Sequence, residues 1–175
     1  MSFYAIQVMS GREDAFVELL RKTTPDASVH NIKKKMPSRK KGKPVTLVNP
    51  VFPGYIFLQC PLEGITPDLI SAIKRTKHFT RILPSTDHIK PLDERDSKII
   101  RQLVSFGKEI GPSLVTFDEN NRIKVIQGPL FGMEGRIVRV DRRKRRAKIT
   151  LELEDSLLSF DLAFEVLLKV EAALP

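Results

Sequence analysis

The chain has a single cysteine among its 175 residues, Cys60, which excludes an internal disulfide framework and any thiolate-rich metal centre. Its three histidines, His30, His78 and His88, lie apart without a metal-ligand spacing, so neither a metal nor a cofactor is expected. No apolar run approaches the roughly 20 residues that cross a bilayer. Met1-Ser2-Phe3-Tyr4 has no basic segment leading into an apolar one. The expectation is a soluble, cytoplasmic monomer with no membrane partner. Catalytic constellations are missing too. Cys60 closes an apolar stretch, while Asp93 with Asp96 and Asp118 with Glu119 stand in cap and loop contexts, so no enzyme is expected. Acidic residues are absent altogether from Ala27 to Leu62.

What is present is enough apolar side chain, 41% of residues, to build a packed core, and a formal charge of +9. That charge is concentrated. Lys33, Lys34, Lys35, Arg39, Lys40, Lys41 and Lys43 carry +7 within the acid-free stretch. Arg136, Arg139, Arg142, Arg143, Lys144, Arg145, Arg146 and Lys148, offset by Asp141, carry another +7, which leaves −5 on the remainder. Two basic patches on a mildly acidic body point to polyanionic partners.

The first half alternates strand and helix signals. Phe3 to Val8 is a short apolar strand. Ser10 with Glu13 reads as a capping box opening a helix from Gly11 to Lys22, buried through Ala15, Phe16, Leu19 and Leu20. Pro37, Gly42 and Pro44 then break regular structure, leaving a basic loop or mobile hairpin. Tyr55 to Cys60 is a strand, Thr66-Pro67 starts a second helix, and Phe79 to Leu83 is another strand. Asp93 starts a third helix that buries Ile99, Ile100, Leu103 and Phe106. The fold expected is α+β, with helices on one face of an antiparallel sheet.

Gly107, Gly111 and Pro112 mark a boundary, giving an N-terminal domain over 1–108, a linker over 109–117 and a second domain over 118–175. Within the latter, Arg122 to Ile126 and Arg136 to Val140 read as strands. From Arg146 to Leu153, Ala147, Ile149, Leu151 and Leu153 alternate with polar residues. Asp141 to Arg145 must then be a hairpin tip, and the unit a small barrel. Asp161 to Leu174 suits strand or helix, with a strand favoured at Glu165 to Val170.

Ile126-Gln127-Gly128-Pro129-Leu130-Phe131-Gly132-Met133-Glu134-Gly135-Arg136-Ile137-Val138 resembles the KOW motif of SH3-like barrels, its three glycines suiting a tight turn at positive φ. Phe3 to Val8 with Ser10-Gly11-Arg12-Glu13, and Phe52-Pro53-Gly54-Tyr55-Ile56-Phe57, resemble the two hallmarks of the NGN domain. That order of domains, covering essentially the whole chain, is similar to the NusG family of transcription elongation factors. Val45 to Phe57, Ile89-Lys90-Pro91-Leu92 and Phe117 to Arg122 resemble its LoaP group of processive antiterminators. The chain departs from the family at Thr76-Lys77-His78-Phe79, where a Thr-Pro-Gly turn is usual.

The resemblance implies an apolar sheet face that docks on the clamp helices of RNA polymerase, with Tyr4, Phe52, Tyr55 and Phe57 as its residues. It implies that residues Lys33 to Lys43 contact DNA at the transcription bubble, through phosphates rather than bases. For the Arg136 to Lys148 cluster it implies binding of a nascent RNA hairpin, guanidinium forks suiting phosphates and guanine edges. The alternative is a barrel that binds ribosomal protein or termination factor, as in general NusG.

Overall fold

The computed structural model describes residues 1–153 and 156–168. The N-terminal half runs β1 (Ser2–Val8), α1 (Glu13–Thr23), β2 (Ser28–His30), β3 (Lys33–Lys40), β4 (Lys43–Pro50), β5 (Tyr55–Cys60), α2 (Pro67–Arg75), β6 (Phe79–Ile82), β7 (Pro84–Ser85), β8 (His88–Ile89) and α3 (Glu94–Ser105). A central antiparallel sheet has the order β2-β5-β1-β6, with Ile6 of β1 opposite both Ile56 and Ile82.

Strand β1 is apolar except at Ser2 and Gln7 and is covered on both faces. Tyr4, Ile6 and Val8 pack with Phe16 and Leu20 of α1 and Ile73 of α2. Phe3 and Ala5 point the other way, into a core that includes Ile99, Ile100 and Leu103 of α3. The α+β class is as expected, but α3 occupies the face that the sequence reading left bare. Its burial ends at Leu103; Phe106 is the helix C-cap and stands 45% exposed.

Two starts of helices behave differently. Thr66 Oγ1 accepts from the Leu69 N–H at 3.3 Å ahead of Pro67, as expected of an N-cap. The capping box at Ser10 does not form: α1 begins at Glu13 with Arg12 as N-cap and no side-chain cap. Glu13 is buried and reaches outward instead, accepting from Gly11 N–H at 3.1 Å and Gly54 N–H at 2.6 Å. The tertiary partner outcompetes the local one.

The basic segment is regular structure. Strands β3 and β4 pair over their full lengths, Lys33 with Pro50 through Lys40 with Lys43. Pro37 and Pro44 are tolerated because a strand side without a neighbour asks for no N–H donor. Strand β4 is an edge, and β9 (Glu109–Ile110) pairs with β3 only at Lys33 and Lys34. The turn has Lys41 at φ 50° and Gly42 at φ 77°, two left-handed residues as a tight hairpin requires.

The expected linker is therefore not a free tether. Besides β9 it contains β10 (Ser113–Phe117), the first strand of the second unit. There β11 (Ile123–Gln127), a short 3₁₀ turn at Glu134–Arg136, β12 (Ile137–Asp141), β13 (Arg146–Leu153) and β14 (Ser156–Val166) follow, in the sheet order β11-β10-β14-β13-β12. Ala147, Ile149, Leu151 and Leu153 are all buried, as their alternation predicts. The C-terminal segment is a strand through Val166, and the expected end at Lys169 and Val170 lies outside the described residues.

Of the three motif glycines, Gly128 (φ 104°) and Gly132 (φ 76°) are left-handed while Gly135 is not. Gly128 is required twice over. A Cβ there would sit 2.7 Å from Cα of Ser113, whose Oγ accepts the Leu130 N–H at 2.9 Å. No helix among the described residues is long and apolar enough to cross a membrane.

Candidate functional site

Three surfaces gather the residues singled out from the sequence. The first is the sheet face of β5. Alternation sends Tyr55 and Phe57 to one side and Ile56, Leu58 and Cys60 to the other. Phe52 meets Phe57 at 5.1 Å between ring centroids and Phe160 of β14 at 4.7 Å. The barrel thus lies on this face, and its core and that of α3 form one continuous cluster. Phe52 and Phe57 are fully covered, while Tyr55 is half-buried against the same cluster. Tyr4 belongs elsewhere. It sits on the α1–α2 side among Ile6, Val8 and Cys60, and burial pushes its phenol above the usual range. The structure separates Tyr4 from the other three aromatics.

Polar contacts close the seam between the two units. Gln102 Nε2 on α3 donates to the carbonyls of Pro129 at 2.9 Å and Phe131 at 2.7 Å. Arg136 Nη1 reaches Asp96 Oδ1 at 3.4 Å. Asp96 is 2% exposed, and burial, with Asp93 and Glu152 adding to it against the pull of Arg136, raises its carboxyl above the ordinary 3.8. Lys34 Nζ donates to the Asp161 carbonyl at 2.7 Å, and burial lowers its pKa, with Arg146 acting in the same direction.

The second surface is the β3–β4 hairpin. Its base is engaged within the molecule: Lys33 pairs with Asp14 at 2.6 Å, Lys34 with the seam, and Lys35 with Glu109 at 3.6 Å. Arg39, Lys40, Lys41 and Lys43 stand exposed around the turn.

The third is the end of the barrel. Arg142, Arg143, Lys144 and Arg145 fill the turn between β12 and β13 and are exposed, with Arg139 beside them. Asp141 Oδ1 accepts the Lys144 N–H at 2.8 Å, and that bond, ahead of the surrounding cations, holds its carboxyl below the usual range. Arg136 and Arg146 depart from this group. The former is turned into the seam, and the latter is half-buried with Nε sheltered. Lys148 lies opposite Asp161 in the β13–β14 ladder.

A family model described as transcription termination factor NusG matches residues 1–101, more than half of the chain. The chain belongs to the NusG family. NusG of Helicobacter pylori strain ATCC 700392 / 26695, a transcription termination/antitermination protein, is 22% identical over 164 residues, 87% of this chain and 89% of its own length. The protein of the same name from Pseudomonas aeruginosa strain PAO1 is 24% identical over 163 residues, covering 93% and 85%. A solved structure of domain interaction in Thermotoga maritima NusG has the same fold, with a TM-score of 0.52, 17% identity and 93% of each chain covered. The protein is a NusG-type transcription factor.

At the departure from the family pattern, Thr76 to Phe79, the left-handed position is held by a histidine rather than a glycine. His78 adopts φ 75° and its carbonyl accepts the Met9 N–H at 2.9 Å. Sequence reasoning missed the seam residues Gln102 and Asp161, read Asp96 only in a cap context, and noted Phe117 and Asn121 only within a stretch of family resemblance, not as neighbours of Arg142. No local signal marks these roles, since each comes from a partner distant in the chain.

Proposed function

We propose that this NusG-type factor docks on elongating RNA polymerase through the apolar face of Phe52, Tyr55 and Phe57, and holds nascent RNA through the barrel turn, suppressing pausing and termination. The observation that carries the reading is the contact between Phe52 and Phe160. The aromatic face is shared between α3 and the second unit, with Phe160 seated directly on Phe52, so release of the barrel exposes an apolar patch suited to a partner. The exposed cations of the β3–β4 turn suit phosphate contacts with DNA near such a docking site. With RNA held on the barrel, tethering raises the effective concentration of each module at its target, so weak single contacts suffice.

The test is single-round transcription on a terminator template with and without a leader hairpin. Read-through rises in the presence of the protein and rises further with the hairpin. Reversing charge at Arg142, Arg143 and Arg145 removes the hairpin-dependent part and leaves polymerase binding intact; equal loss of both contradicts the two-module reading. A second reading, a barrel that binds ribosomal protein or termination factor, draws on the exposed apolar side chains Ile126, Phe131 and Val138.

A further inference from the structure

The barrel brings together two turns that the sequence keeps apart, residues 118–122 between β10 and β11 and residues 142–145 between β12 and β13. Arg142 bridges them. Its guanidinium carbon lies 4.1 Å from the centre of the Phe117 ring, and Nη1 donates to Asn121 Oδ1 at 3.0 Å. Phe117 is in turn seated edge-on against Phe164 of the barrel core, at 6.0 Å between centroids. Both turns are pinned by their own acids. Asp118 Oδ1 accepts the N–H groups of Asn120 and Arg122, each at 2.8 Å, and Asp141 Oδ1 accepts that of Lys144. Their carboxylates are thereby engaged within the turns.

A cation that meets only phosphate needs no such support, because a point charge works from many rotamers. Arg142 is held by a ring and an amide while its side chain stays exposed. A flat, delocalised cation immobilised at the surface is a stacking plate for an unpaired base. Arg122, Arg143 and Arg145 stand on the same two turns, where they suit the phosphates flanking that base.

We infer that Arg142, backed by Phe117 and oriented by Asn121, stacks on an unpaired nucleotide of the RNA, so that the barrel recognises a loop rather than a duplex. This inference rests on the proposed RNA binding by the barrel. The experiment measures binding of the full chain to three probes: an RNA hairpin with an all-adenosine loop, its stem as a blunt duplex, and the DNA hairpin of the same sequence. Arg142→Lys keeps the charge and loses the plane, and Asn121→Gly removes the amide that orients the plane while keeping the left-handed backbone at φ 59°; both positions are exposed. Arg142→Lys weakens hairpin binding by about tenfold, Asn121→Gly weakens it less, and the salt dependence and duplex affinity stay unchanged. Hairpin binding at the wild-type level in Arg142→Lys, or an equal loss on hairpin and duplex, overturns the stacking role. Equal wild-type affinity for the DNA hairpin overturns the RNA assignment. A wild-type chain that binds none of the probes removes the parent reading along with the inference.

Discussion

Asp96 shows how a single carboxylate ties the two halves of this protein together. It lies at the start of α3, enclosed with Asp93 and Glu152 nearby and Arg136 as its partner across the seam. Its folded-state pKa is raised above the unfolded value of 3.8, so the folded form holds the proton more readily. The stabilisation linked to this group is present at low pH and is lost as pH rises through the raised value. Chemical denaturation of the wild type and Asp96→Asn across pH checks this. The wild type gains on the variant as pH is lowered from neutral towards the ordinary carboxylate range. Glu13 is a contrasting case, a buried acid spent on two backbone N–H groups of different loops, which is why the capping box legible in Ser10 and Glu13 does not form.

At the scale of elements, local pattern was readable where one face of a strand or helix meets the core. The alternation from Arg146 to Leu153 gave β13 with its bounds, and Thr66-Pro67 gave the start of α2, because both signals are complete within a few residues. The β3–β4 hairpin was obscured by Pro37 and Pro44, whose cost vanishes on strand sides without a neighbour, something only the sheet order reveals. The motif glycine that matters most is likewise decided by a partner strand. Gly128→Ala must push on Ser113 backbone and hold an alanine at φ 104°. The expected cost is about 2–4 kcal/mol, read as a lowered midpoint in thermal or urea unfolding. A loss under about 0.5 kcal/mol, the level of an inert surface change, contradicts this account of the turn.

The whole molecule joins its two units through one hydrophobic core, and this is where sequence reading stopped short. Strand alternation put Tyr55 and Phe57 on a common face, and the family resemblance marked that face for docking. Neither indicates that Phe160, more than a hundred residues along the chain, lies over it. The seam also draws in Lys34 and Arg136, one from each basic patch, so charges counted as nucleic-acid contacts serve closure in this arrangement. On the proposed function, docking on polymerase and closure of the barrel compete for the same aromatic surface. The most direct test of that competition is the affinity of the full chain for core RNA polymerase, measured for the wild type, Arg136→Glu and Tyr55→Ala. Arg136→Glu sets two acids against each other at Asp96 and opens the seam, so binding tightens by about tenfold, equivalent to about 1.4 kcal/mol, while Tyr55→Ala weakens it. Affinities unchanged in both variants would contradict the claim that polymerase binds the face the barrel covers.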